Sequence, residues 1–134
     1  MNNPTYPDFE IKQTKTTLSV LQQWAKALEL KTKGLVIGEI KSLNDREGDY
    51  IIHKFILNAP LIGKQGFNYS LFAVRELCTS LFPITLFHFQ DEEQKEIENI
   101  EELDKRIKEI AFDKRTKNII ETLIIRSNKT WEVE

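Results

Sequence analysis

Residues 35–58, LVIGEIKSLNDREGDYIIHKFILN, decide how the rest of the chain is read. Leu35 to Leu43 reads as a strand, and Tyr50 to Asn58 as a second one that is apolar on both faces, with Ile51, Phe55 and Leu57 alternating with Ile52 and Ile56. Between them Asn44-Asp45-Arg46-Glu47-Gly48-Asp49 supplies Asn, Asp and Gly, the residue types that tolerate the dihedrals of a reversal. Two strands joined by such a turn predict a β-hairpin.

Beyond the hairpin, Ala59 to Gly66 holds Pro60, Gly63 and Gly66 and reads as a loop. Phe67 to Val74 is a third strand, with Phe67, Tyr69, Leu71 and Ala73 assigned to one face. Pro83 introduces a fourth, Ile84 to Phe89. Connections this short favour an antiparallel meander. Before the hairpin, Thr16 or Thr17 can cap a helix running to Leu30, with a stripe of Leu18, Leu21, Trp24, Ala25 and Leu28 and with Gly34 as its stop. Residues 1–15 read as an irregular arm, pinned by Phe9 and Ile11. After the strands, Asn99 with Glu102 makes a cap pair for a helix carrying Ile100, Leu103, Ile107, Ile110 and Ala111, whose start could lie as early as Asp91. Asp113 caps a last helix through Arg126. The expected fold is one α+β domain over residues 16–130: an N-terminal helix, a four-stranded antiparallel sheet and two C-terminal helices, packed as two layers with the helices on one sheet face.

The chain has 134 residues, enough for one domain that needs no disulfide or metal to fold. A net charge of −2 gives no global attraction to nucleic acid or anionic lipid. The charge is uneven: residues 91–110 hold nine acidic and four basic side chains, and residues 113–129 two acidic and five basic. These are read as solvated helix faces. One cysteine, no signal-like leader and no apolar run near the ~20 residues of a membrane span lead to the expectation of a reducing, cytoplasmic setting.

Reactive side chains are scarce. Glu39-Ile40-Lys41 resembles the E-x-K element of PD-(D/E)xK metal-dependent nucleases, since residues two apart on a strand point to one face and can set a carboxylate beside a lysine. That family also requires an acid on a preceding strand, and none precedes Glu39. Gly66-Phe67-Asn68-Tyr69-Ser70-Leu71-Phe72 resembles the aromatic strand of RNA-recognition domains, which would make Phe67, Tyr69 and Phe72 base-stacking residues. It departs from the motif at Gln65, Asn68 and Ser70, and the βαββαβ order of that family is missing. His53, His88 and Cys78 are too few for a structural zinc site without a carboxylate. Gly63-Lys64 lacks the rest of a phosphate-binding loop.

Three helices cannot cover both faces of such a sheet. The uncovered face is expected to carry Tyr50, Ile52, Ile56, Phe72, Phe87 and Phe89, and an apolar surface of that size marks a partner site. The leading expectation is therefore a non-enzymatic protein-interaction module, a homodimer in its simplest form, with no cofactor and no metal. The alternatives are a nucleic-acid-acting protein, through Glu39 and Lys41 or through Phe67, Tyr69 and Phe72, and a binder of small ligands between sheet and helices.

Overall fold

Each helix begins where a side chain can satisfy its free N–H groups. The computed structural model describes residues 4–10 and 14–128. Helix α1 spans Thr17–Lys31; Thr16 Oγ1 accepts from the Ser19 N–H and Ser19 Oγ accepts from the Thr16 N–H, a reciprocal cap. Helix α2 spans Ile100–Ala111, with the Glu102 N–H donating to Asn99 Oδ1 at 2.8 Å. Helix α3 spans Lys114–Ser127 and starts on Asp113, which accepts from the Arg115 N–H. At the end of α1, Gly34 adopts φ +80° and its N–H returns to the Glu29 carbonyl, a left-handed stop that suits glycine.

Between α1 and α2 lie five strands, β1 (Ile37–Asn44), β2 (Tyr50–Ala59), β3 (Phe67–Leu77), β4 (Ile84–His88) and β5 (Glu93–Ile97), paired antiparallel in chain order. The sheet therefore has one strand more than the four expected from the sequence. The fifth strand, EQKEI, offers one buried residue, Ile97, and four exposed polar ones, so it carries no apolar alternation to find. It is an edge strand, recognised only through its pairing with β4, Ile84 opposite Ile97 and His88 opposite Glu93. Glu92, at φ +51°, lies in the reversal that precedes it, and α2 begins at Ile100 rather than near Asp91.

The β2–β3 pairing contains a bulge. Phe55 faces Phe72 and Ile56 faces Ser70, which leaves Leu71 as the extra residue. Strand parity therefore inverts inside β3. Tyr69 points to the helix side before the bulge, and Phe72 and Val74 point there after it, while Ala73 falls on the opposite face. This corrects the expected placement of Phe72 on the uncovered face. It is 1% exposed and stacks on Phe55 at 5.0 Å between ring centroids, with the planes 8° apart.

The core fills the space between the sheet and all three helices: Val20 and Leu21 from α1, Leu103, Ile107 and Ile110 from α2, Leu123 from α3, against Phe55, Leu57, Phe72, Val74, Leu86 and Ile97. Helix α1 lies closest to β1 at Gly38, where a Cβ would sit 2.7 Å from the Ala25 Cα and 2.9 Å from Phe55 Cζ, so only glycine fits. Trp24 Nε1 donates to Asp104 Oδ1 at 2.8 Å and ties α1 to α2. In the N-terminal arm Phe9 is 70% exposed and does not pin the arm to the body; Ile11 and residues 129–130 lie outside the described residues. No described helix is long and apolar enough to cross a membrane.

Candidate functional sites

The register assigns one sheet face to the helices and the other to none of them. On the uncovered face stand Ile37, Glu39 and Lys41 of β1, Tyr50, Ile52, Lys54 and Ile56 of β2, Ala73 and Arg75 of β3, Thr85 and Phe87 of β4, and Gln94 and Glu96 of β5, with Phe89 just beyond β4. Five of the six residues expected on this face are there: Tyr50, Ile52, Ile56, Phe87 and Phe89. They are partly buried among their neighbours, and Ile56 is 5% exposed although it belongs to no part of the helix-side core. The Arg75 guanidinium lies 4.5 Å from the Tyr50 ring centroid, and Phe87 meets Phe89 edge-on at 5.1 Å. The face is thus an apolar centre crossed by a band of Lys41, Lys54 and Arg75, with Glu39 and Glu96 on its two edge strands.

Glu39 and Lys41 do share a strand face, as their spacing requires, with Ile56 and Lys54 opposite them on β2. Among the described residues no group of three His, Cys, Asp or Glu side chains is arranged to hold a metal ion. The aromatics read as a base-stacking strand are separated by the bulge region: Phe72 is core, while Phe67 and Tyr69 turn toward α3 and line an open groove of about 530 Å³ with Ile119, Leu123 and Arg126.

His53 and His88, which could have faced one another had β2 and β4 been neighbours, are separated by β3. Both point to the helix side, and their surroundings differ. His53 sits opposite Ser42 of β1 and Val74 of β3, and Glu76 follows two residues along β3 on the same face. Ser42 Oγ lies 2.7 Å from His53 Nδ1, and His53 Nε2 lies 2.6 Å from Glu76 Oε2. The His53 and Glu76 side chains are 5% and 12% exposed, whereas Ser42 is open to solvent. No sequence motif announces this row, because its members come from three strands and meet only through the pairing register. The one signal available was the hairpin turn, which fixes Ser42 opposite His53.

His88 Nδ1 lies 3.0 Å from Asp91 Oδ2 but without the alignment of a hydrogen bond, so neither ring nitrogen has an aligned partner among the described residues. Asp91 is instead engaged by Arg115 at 2.7 Å, and Arg115 also grips Asp113 through Nε and Nη2 at 3.1 and 2.9 Å. The Arg115 guanidinium holds Asp113 down at about 2 and lowers Asp91 as well. This cluster fastens the β4–β5 turn to the start of α3.

Between the sheet and the helices lies a cavity of about 280 Å³, lined by Trp24, Leu28, Phe55, Phe72, Ile107 and Ile120. Thr116, wholly buried, also lines it, and its Oγ1 has no hydrogen-bond partner among the described residues. Lys31 and the 74%-exposed Phe112 mark its open side.

No protein-family model, no curated protein and no solved structure matches the chain.

Proposed function

We propose that the protein is an interaction module whose uncovered sheet face docks a second copy of itself. The observation that carries this reading is the placement of all three helices on one side of the sheet, with Tyr50, Ile52, Ile56, Phe87 and Phe89 on the other. Strands spaced about 4.8 Å and at least ~17 Å long give five of them a plan area on the order of 400 Å² before side-chain relief is counted. That is about half of the ~800 Å² per partner of a stable interface, and the longer strands β1, β2 and β3 and the side-chain relief add to it. Two such faces pack with their strands about 30° apart. A two-fold axis running along β3 sets the β1 of one copy over the β5 of the other, which brings the basic Lys41 toward the acidic margin at Glu96. Sedimentation equilibrium across the micromolar range is expected to show a dimer that Phe87→Lys converts to a folded monomer. A wild-type chain that stays monomeric at hundreds of micromolar would contradict the reading.

The buried, unpartnered Thr116 hydroxyl supports a second reading, in which the cavity holds a small apolar ligand. An apolar pocket with one polar group inside and a cation at its mouth suits a short amphiphile with an anionic end near Lys31. Calorimetric titration with decanoate is expected to show saturable binding that Ile120→Trp abolishes by filling the cavity; no heat from the wild-type chain would remove this reading.

A further inference from the structure

We propose that Ser42, His53 and Glu76 form a hydrolytic site for small carboxylic esters. The three side chains stand in a row across β1, β2 and β3, with both bonds short: 2.7 Å from Ser42 Oγ to Nδ1 and 2.6 Å from Nε2 to Glu76 Oε2. The chemistry of the partners sets the proton positions. An ionised carboxylate only accepts, so the Glu76 oxygen takes the Nε2–H of His53. The neutral imidazole then presents Nδ1 as an acceptor, and the Ser42 hydroxyl donates to it. A nucleophile bonded to a base, and that base oriented by a third group, is the arrangement that activates serine. Relative to the protease triad, the two ring nitrogens exchange roles and the orienting carboxylate is a glutamate. Burial follows the same division of labour. His53 and Glu76 are shielded, which protects the orienting bond, and Ser42 faces solvent, where an acyl group can reach it.

The row is also more costly than a structural role needs. A buried imidazole on an apolar core face could be replaced by a leucine or a phenylalanine like its neighbours Phe55 and Leu57. A carboxylate buried beside it adds a desolvation penalty that a hydrogen bond to exposed serine does not require.

In the first half-reaction Ser42 Oγ bonds to the ester carbonyl carbon while its proton passes to His53 Nδ1. The tetrahedral adduct then breaks its bond to the alcohol oxygen, which leaves carrying the proton returned by Nδ1. Water attacks the acyl-serine by the same route, yielding the carboxylic acid and restoring Ser42, so ester and water are the only reactants. Asn44 stands on the same face of β1 two residues on, its Nδ2 donating weakly to Cys78 Sγ at 3.9 Å, and is the amide on this face of β1 that the proposal assigns to the oxyanion.

The test is hydrolysis of p-nitrophenyl acetate by the full chain, together with labelling by diisopropyl fluorophosphate and peptide mass spectrometry. The expected result is turnover that Ser42→Ala lowers at least ~100-fold, the scale of a positioned nucleophile and base, with the label on Ser42. Glu76→Gln, a change at a positioning residue, is expected to lower kcat with KM unchanged. Ser42 is exposed, so its alanine variant keeps the fold, and circular dichroism verifies that. Equal turnover by wild type and Ser42→Ala, or no label on Ser42 of the folded wild-type chain, overturns the proposal whatever the oligomeric state proves to be.

Discussion

The two faces of one sheet are built from the same strands, yet they follow different rules. On the helix side, Phe55, Leu57, Phe72, Val74, Leu86 and Ile97 form a dry layer that also holds two histidines, His53 between Ser42 and Glu76 and His88 beside Asp91. On the other side Tyr50, Ile52, Ile56 and Phe87 alternate with Lys54, Arg75, Thr85 and Glu96, and the aromatics rest against cations and one another. Antiparallel sheets commonly bury one face and wet the other. Here the wet face keeps a group of aromatic and aliphatic side chains, and the dry face keeps the polar row of Ser42, His53 and Glu76.

The sharpest way to break this contrast is Phe72→Ala. It removes a 1%-exposed ring and its stacked contact with Phe55, so unfolding in denaturant is expected to show a loss of about 3–5 kcal/mol. A loss below about 1 kcal/mol would mean that Phe72 is not core. Next comes Gly38→Ala. The added methyl must displace either the α1 backbone at Ala25 or the Phe55 ring, and overpacking of this kind costs about 1–3 kcal/mol. An unchanged melting midpoint would show that α1 does not rest on β1 as described.

Phe87→Ala tests the opposite face. Its ring is only partly buried, so monomer stability is expected to change by no more than about 1 kcal/mol, measured at a dilution where the chain is monomeric. A loss as large as that from Phe72→Ala would erase the distinction between the faces. The smallest effect concerns acid. Asp113 titrates at about 2 in the folded chain against an ordinary 3.8, because Arg115 holds its charged form. A depressed carboxyl contributes stability that is fully present above 3.8 and disappears as pH falls toward 2. Asp113→Asn keeps a good helix cap and removes the charge. Its stability is therefore expected to fall less steeply between pH 4 and pH 2 than that of the wild type, as followed by urea melts. Parallel slopes would show that the Arg115 contact contributes nothing in that range.

Much of this architecture is legible from local pattern. The hairpin turn, the caps at Thr16, Asn99 and Asp113, and the helical stripes are each specified within a few neighbouring residues, and the described structure has them where the sequence points. What escaped were features that depend on partners far along the chain. Strand β5 is a strand because β4 lies beside it, not because of its own side chains. The side assigned to Phe72 depends on an unpaired residue at Leu71 that no alternation reveals. Ser42 and Glu76 reach His53 only through strand pairing, Ser42 from directly opposite on β1 and Glu76 from two residues beyond Val74 on β3. The scarcity of reactive residues was real as composition, but composition says nothing about which of them meet.

The extra residue in β3 also works like a spare letter in a reading frame. Upstream of Leu71 the helix side is written in odd-numbered positions, Phe67 and Tyr69; downstream it is written in even ones, Phe72, Val74 and Glu76. Removing Leu71 alone would restore unbroken alternation and leave each of those side chains on its present side, at the cost of one core leucine and of the carbonyl that receives the Phe89 N–H at 3.2 Å. Removing Ala73 instead, with the bulge straightened to compensate, would turn Phe72 outward. Within this strand a change of length is thus tolerable at one address, and the boundary between the dry and wet faces is kept by a residue with no counterpart on β2.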